Sequence, residues 1–386
     1  MKITKVEVIP ITVPYHAPIR HAFGGRTSGD YVIVKLTTDE GLEGIGSGGV
    51  LYPRHSGESQ DSALANIKYL ASEVLLGQDP MNIDRLMEKI DATLYGHWLT
   101  KSNIDFALYD LKGKVLNTPV YQLLGGLSRE KIPLEWIVSL DEPEAMAEMA
   151  LKYIKAGFKG LKVKSSGDPK LDVARFKAVR KAVGDDVWMG IDMNEAYCAP
   201  VALLVIEEMA KYGIDYAEQP VKRHDIDGLL AIKSKTKVPI AVDEGGWSLD
   251  ELGRVIKNKA ADICHLVPSR IGGFRRALKF RALAESAGLD YAISCYNGTG
   301  LEHAASSHFA VASLKPDRVP DQPIGVLYLY GGTGTAGITR DVCQEISGEI
   351  ANGYLYPPKG PGLGVELNKD MVAEYTTKGK QAIVIK

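Results

Sequence analysis

Apolar and polar positions alternate from Thr4 to Val13, where Val6, Val8, Ile11 and Val13 supply the apolar side, and a second β-branched run covers Tyr31 to Thr38 before Glu40-Gly41. A period of two marks strands that bury one face, and the Gly-containing turn after the second run predicts an antiparallel hairpin or meander. The texture then changes to Ala, Leu and Lys, with helical patterns over about Ser62 to Leu76, Ile83 to Leu94 and Ser102 to Leu116. The first third therefore reads as α+β.

From Pro133 onward, short apolar runs alternate with amphipathic helical stretches, and several of those stretches stop at Gly157, Gly184, Gly213 and Gly288. Strands are predicted at Leu134–Val138, Gly160–Lys164, Val187–Asp192, Asp215–Glu218, Pro239–Asp243, Asp262–Val267 and Tyr291–Ser294. Such alternation fits a doubly wound sheet as well as a barrel, because periodicity does not separate them. Charged residues at the ends of successive strands favour the barrel, whose reacting groups gather at the C-terminal ends of the strands around one mouth.

The chain has 386 residues, enough for two domains or one large barrel, with 45% hydrophobic and 24% charged residues, which places it among ordinary globular proteins. Lys plus Arg number 46 against 48 Asp plus Glu, so no net field favours nucleic acid or a membrane surface. The four cysteines lie far apart without a CxxC pair, which argues against a disulfide framework or a structural zinc site and fits a reducing cytoplasm. Glu7 and Pro10 interrupt what would be the core of a signal peptide, and the uncharged run Gln322 to Thr339 holds five Gly and three Thr, too polar and broken for a spanning helix.

Asp192, Glu218 and Asp243 end three consecutive predicted strands at spacings of 218 − 192 = 26 and 243 − 218 = 25 residues. In a closed barrel, these three carboxylates meet at one mouth, where a hard divalent cation relieves their repulsion; all-oxygen ligation suits Mg²⁺ better than zinc. Helix capping is the other role for such acids, and it explains one of them more readily than three in register. Lys162 and Lys164 end the preceding strand and, two residues apart, point the same way. At ~6 Å and an effective dielectric of about 20 they repel by ~2.8 kcal/mol, so one ammonium is expected to lose its proton more easily. A depressed lysine beside a metal-bound carboxylate suits abstraction of the proton α to that carboxylate, with the metal stabilising the enediolate.

With these motifs, the chain resembles the muconate lactonizing enzyme and mandelate racemase branch of the enolase superfamily. The resemblance rests on Lys-x-Lys at Lys162 and Lys164, Asp-x-Asn at Asp192 and Asn194, Glu-x-Pro at Glu218 and Pro220, and Asp-Glu at Asp243 and Glu244. It implies a (β/α)7β TIM-like barrel over residues 126–345, an α+β capping domain over residues 1–125, and a C-terminal segment, 346–386, that returns to the cap. It also implies Asp192, Glu218 and Asp243 as Mg²⁺ ligands, with Mn²⁺ as a substitute, Lys164 as the acid/base and Lys162 as its tuner. Loops from Ala22 to Arg26 and from Gly48 to His55 then close over a small carboxylate substrate. Family members are often symmetric assemblies, so a homo-oligomer is expected by analogy.

One departure matters. The muconate-lactonizing pattern carries a second lysine in Lys-x-x-Lys/Arg-x-Gly-Gly, and here Val267 holds that place in Val267-Pro268-Ser269-Arg270-Ile271-Gly272-Gly273. Without a second base, one-face chemistry is expected: cycloisomerisation, or elimination by a lyase or dehydratase. Tyr296, at the end of the seventh strand, is the candidate for the opposite face, which would make the protein a racemase or epimerase. His265 shares the inward parity of Val267 but is read as a core residue. Asp321 is a candidate acid or polar partner on the last strand; Arg270 reads equally as ordering the mouth through Glu244 or a neighbouring acid and as a solvated arginine at a helix start. Asn194, Glu244, Arg270, Val267 and Asn297 are assigned to substrate binding or to the residues behind the ligands. Cys295 reads as a small packed residue, since no His-Asp pair accompanies it.

Gly332 to Gly337 matches GxGxxG after the strand-like Val326 to Tyr330, but only 386 − 337 = 49 residues remain and no acidic-tipped strand follows, so it reads as a loop. Gly44 to Gly49 likewise reads as a turn or loop. A barrel that binds metal and ligand without turnover is the remaining alternative.

Overall fold

The computed structural model describes residues 1–22, 24–315, 319–322, 340–345 and 347–386. The GxGxxG segment and the run before it lie outside the described residues.

The first unit is a four-stranded antiparallel sheet backed by helices. Strand β1 (Ile3–His21) pairs along most of its length with β2 (Gly24–Thr38), β2 pairs with β3 (Glu43–Gly46), and the last strand of the chain covers the free edge of β1. Helices α1 (Gln60–Leu70) and α3 (Trp98–Val115) pack on it, and α2 (Ile83–Thr93) packs against α3. α3 is buried nearly all round, because β3 lies on one side of it and the barrel on the other. Gly44 to Gly49, read from sequence as a loop, is in part a strand: a Cβ on Gly46 would stand 2.3 Å from Asn103 O, and one on Gly44 2.3 Å from Ala107 O. The glycines let the β3 backbone rest directly on α3, a close approach that local sequence reads as a turn.

Seven parallel strands follow in consecutive order: β4 (Glu135–Val138), β5 (Gly160–Lys164), β6 (Trp188–Asp192), β7 (Tyr216–Glu218), β8 (Ile240–Val242), β9 (Ile263–Leu266) and β10 (Asp290–Ile293). Between them run α4 (Pro143–Lys155), α5 (Pro169–Val183), α6 (Ala199–Ala210), α7 (Ile226–Lys233), α8 (Leu249–Asn258) and α9 (Phe274–Ser286), and α10 (Gly300–Val311) follows β10. Asp321 and Gln322 close the ring through parallel bridges to Leu134 on one side and Ser294 on the other. The architecture is a (β/α)7β TIM-like barrel with an α+β cap.

The chain end returns to the cap. Helix α11 (Lys369–Tyr375) lies against β1, and β11 (Ile383–Ile385) pairs with Val6 to Val8. Asp110 on α3 ties the ends together: its carboxylate accepts from Ile45 N at 2.9 Å, from Leu363 N at 2.8 Å and from Lys114 Nζ at 2.7 Å. No helix among the described residues is long and apolar enough to cross a membrane.

Cap and barrel also meet at Asp105, whose Oδ2 accepts from Phe274 N at 2.6 Å at the start of α9. Burial pushes this carboxyl up to about 8, against the backbone N–H groups that favour its charge. A folded-state value above the unfolded one stabilises below the unfolded pKa, and the stabilisation is lost as pH rises from about 4 through about 8. Asp105→Asn should therefore gain on wild type, by an amount on the order of a few kcal/mol, between pH 5 and pH 8 in urea-midpoint measurements. Gly46→Ala should cost ~1–3 kcal/mol in the same measurement, since the new methyl meets backbone rather than a side chain able to move.

Candidate active site

Strand register assembles the site. Lys164 stands beside Asp192 and Asp192 beside Glu218 across β5, β6 and β7. Glu218 pairs with Ala241 on β8, so Asp243, two residues further, has the same inward parity. Lys162 and Lys164 share one face of β5, and with the three acids they line a cavity of about 790 Å³ between barrel and cap, its open mouth included.

Each acid meets a basic group of the chain. Lys164 Nζ donates to Asp192 and, at 3.3 Å, to Asn194 Oδ1. Lys162 pairs with Glu218, whose Oε2 is also 3.0 Å from His265 Nε2, in ion-pair range of both but with hydrogen-bond geometry to neither. Arg270 grips Asp243 with both terminal nitrogens, Nη1 at 3.0 Å, and lies over the Trp247 ring at 4.6 Å. The neighbouring acid that Arg270 was expected to find is thus Asp243.

The electrostatics correct one expectation. Burial pulls the Lys164 ammonium down, but the charges of Asp192, Glu218 and Glu244 outweigh it and hold Lys164 above the ordinary lysine range. Each lysine of the Lys-x-Lys pair rests on a carboxylate of a following strand, and that attraction replaces the mutual repulsion read from sequence. Burial raises the Asp192 carboxyl, helped by the charge of Glu218, and burial with Asp243, Asp192 and Glu218 nearby raises Glu244 far above its usual range. Burial also works to raise Glu218, but His265 and Lys162 hold it well below its usual range.

Among the described residues, no three His, Cys, Asp or Glu side chains are already drawn together as a metal cluster. The donor chemistry nonetheless fits a hard cation: three carboxylates on adjacent strands face one cavity, and buried Oε2 atoms of Glu218 and Glu244 have no hydrogen-bond partner. An ionised carboxylate has about four lone-pair positions, so the lysines and Arg270 leave acceptor capacity on Asp192, Glu218 and Asp243.

Backbone strain clusters at the same strand ends. Asn194, Gln219 and Asn297 hold φ of 40°, 38° and 50°, the left-handed region that costs a non-glycine residue energy. Asn194 uses its position to bond both Lys164 and Glu244, and the Asn297 carbonyl accepts from Tyr31 Oη of the cap at 2.6 Å.

The cap supplies the roof. His21, Arg26, Tyr52 and His55 line the cavity, with the Arg26 guanidinium 4.4 Å over the Tyr52 ring. Burial, with Lys164, Arg26 and Arg54 nearby, pushes His21 down to about 3, so it is neutral. Val267 lines the cavity opposite this roof of polar groups and offers no proton. Cys295 is buried there as a small residue.

Asp321 is a correction. It turns away from the mouth, where Arg129 Nη2 donates to it at 2.8 Å, Lys315 lies at 3.3 Å, and Ile293 N donates at 2.6 Å. Successive strand residues face opposite sides, so the cavity receives Gln322 instead, whose Nε2 donates to Glu135 at 2.7 Å. His265, read as an inward-facing core residue, is buried, and it stands beside Glu218 in the cavity wall. His55 ends the capping loop Gly48 to His55, and nothing in the sequence marks it for a role of its own. The structure places its Nδ1 on Tyr296 Oη and its Nε2 3.3 Å from Glu244 Oε1, contacts between residues 189 and 241 positions apart that no local signal reveals.

Residues 3–125 match the mandelate racemase / muconate lactonizing enzyme N-terminal domain, and residues 145–371 match the enolase C-terminal domain-like family. The chain is 35% identical to an N-succinyl-L-Arg/Lys racemase of Bacillus cereus, over 97% of this chain and 98% of that one. It is 31% identical to a chloromuconate cycloisomerase of Delftia acidovorans, over 97% and 99%. Among solved structures, a mandelate racemase/muconate lactonizing family protein from Azoarcus sp. EbN1 superposes with a TM-score of 0.94 at 38% identity, covering 100% of both chains. A dipeptide epimerase from Enterococcus faecalis V583, complexed with Mg and the dipeptide L-Leu-L-Tyr, gives a TM-score of 0.85 at 30% identity, covering 95% and 100%. Over both its cap and its barrel, this chain belongs to the mandelate racemase/muconate lactonizing family of the enolase superfamily.

Proposed function

We propose that this protein is a Mg²⁺-dependent isomerase that moves the proton α to the carboxylate of a small carboxylic acid, with Lys164 as the acid/base on one face. The observation that carries this reading is the register that sets the Lys164 ammonium beside Asp192, with Glu218 on the next strand, in the wall of one cavity. Asp192, Glu218 and Asp243 are the residues that would hold the cation. When bound, Mg²⁺ supplies positive charge to the substrate carboxylate as negative charge builds there. Lys162 neutralises Glu218 from below, Asn194 orients Lys164, and Arg270 fixes Asp243.

Racemisation or epimerisation is the preferred outcome. Tyr296 lines the cavity with its hydroxyl on a histidine of the cap, which supports a second proton-handling group despite Val267. The racemase and epimerase among the relatives support the same outcome for an N-acyl amino acid or dipeptide. Cycloisomerisation or elimination by Lys164 alone is the second reading, favoured by the apolar Val267 and by the cycloisomerase relative.

Proton NMR in D₂O with N-succinyl-L-lysine, L-Leu-L-Tyr and chloromuconate distinguishes them. Deuterium entering the α position of recovered substrate, with inversion, supports the first reading; a single labelled configuration in a lactone or unsaturated product supports the second. Lys164→Ala should lower turnover by about 10²–10⁴-fold in either case. Chelation by EDTA should abolish turnover and added Mg²⁺ or Mn²⁺ restore it; turnover unaffected by chelation would remove the metal from the reading.

A further inference from the structure

The cap reaches into the barrel through His55. Two backbone ties hold it there: Val50 N donates to Tyr296 O at 2.9 Å, and Arg223 Nη1 donates to His55 O at 3.1 Å. Gly49 permits the first, since a Cβ there would stand 2.5 Å from the Tyr296 Cβ. From the barrel side, Glu302 accepts from Tyr296 N at 2.8 Å and fixes the same loop. The His55 ring, edge-on to Trp247 at a centroid distance of 4.7 Å, then bridges Tyr296 and Glu244.

The direction of each hydrogen bond in this bridge can be assigned. An ammonium only donates, so Asn194 presents Oδ1 to Lys164 and its Nδ2 to Glu244 Oε1, 3.0 Å away. Glu244 Oε1 accepts that bond; the proton that Glu244 holds sits on Oε2, which has no hydrogen-bond partner, and His55 Nε2 is then the donor to Oε1. Burial, with Arg270 and Arg223 nearby, keeps the imidazole neutral. Its lone pair is then on Nδ1, where it receives the Tyr296 hydroxyl.

We propose that Tyr296 and His55 form the second acid/base unit of the site, with Tyr296 touching substrate and His55, carried by the cap, accepting the tyrosine proton. This rests on the α-proton reading above. In the ring of strands β9 stands across from β5, and β10, which leads to Tyr296, is its neighbour, so the unit lies across the cavity from Lys164. In one direction Tyr296 Oη takes the α-proton while its own proton passes to His55 Nδ1. The C–H electron pair stays with the α-carbon and its carboxylate, and the imidazolium formed is held by Glu244. The Lys164 ammonium then delivers a proton to the other face and is left neutral. The reverse reaction returns every proton by the same route, with no oxidant or further reactant required.

Two measurements on the full-length chain test this. In the ¹⁵N NMR spectrum of histidine-labelled protein, assigned by loss of the His55 signals in His55→Asn, His55 should carry its proton on Nε2, and Tyr296→Phe should shift Nδ1. A proton on Nδ1, or nitrogens that ignore Tyr296→Phe, overturns the proposal without any substrate. With the three probe compounds in D₂O and Mg²⁺, Lys164→Ala should still exchange the α-proton of one configuration. His55→Asn, which keeps a hydrogen-bond acceptor near Tyr296 but takes no proton, should lower kcat by about 10²-fold with KM within about threefold. If His55→Asn turns over within about twofold of wild type while Lys164→Ala loses all exchange, the unit is overturned and the role of Lys164 stands.

Discussion

Buried carboxylates crowded at the ends of adjacent strands are the constraint from which the rest of this molecule follows. Asp192, Glu218, Asp243 and Glu244 sit within one barrel mouth, each nearly inaccessible. Like charges this close and this dry raise one another's proton affinity and are tolerated only with positive charge nearby. The chain supplies it from two elements, Lys162 and Lys164 from β5 and Arg270 after β9, and the neutral amide of Asn194 adds a hydrogen bond across the gap. The left-handed backbone at Asn194 and Gln219 is strain accepted to keep those partners in place.

The barrel was legible because it repeats. Each predicted strand from Gly160–Lys164 to Tyr291–Ser294 falls within one or two residues of the strand observed, since apolar runs recur once per unit and glycines stop several of the helices between them. The carboxylates and the Lys-x-Lys pair were legible for the same reason: one chemical residue per repeat, at a fixed place on its strand. Where recurrence stops, so does legibility. Among the described residues the eighth strand shows two bridging positions, and no apolar run in the sequence tells that Gln322, not Asp321, is the inward one. The charge state of Lys164 depends on acids dozens of positions away, and sequence proximity to Lys162 pointed the wrong way.

The cap shows the same limit from another side. Its strands announce themselves by alternation, yet its contribution to the site does not. His55 has meaning only once β3, resting on α3 through Gly44 and Gly46, directs the following loop over Tyr296. Specific chemistry at this interface is a product of close backbone packing, and glycine positions record it better than any polar motif. A family pattern can therefore lose a lysine at Val267 while the cavity keeps a polar group able to face it.

The carboxylate of Asp110 joins β3 near the beginning of the chain to Leu363 near its end, and β11 completes the edge of β1. During synthesis, residues 3–46 emerge long before their partners at 363–385 exist, while each βα unit of the barrel finds its neighbour within about thirty residues. The barrel strands can therefore begin to pair in the order in which they are made, whereas the cap waits for residues 363–385. The unit whose His21, Arg26, Tyr52 and His55 roof the cavity is the last to be sealed.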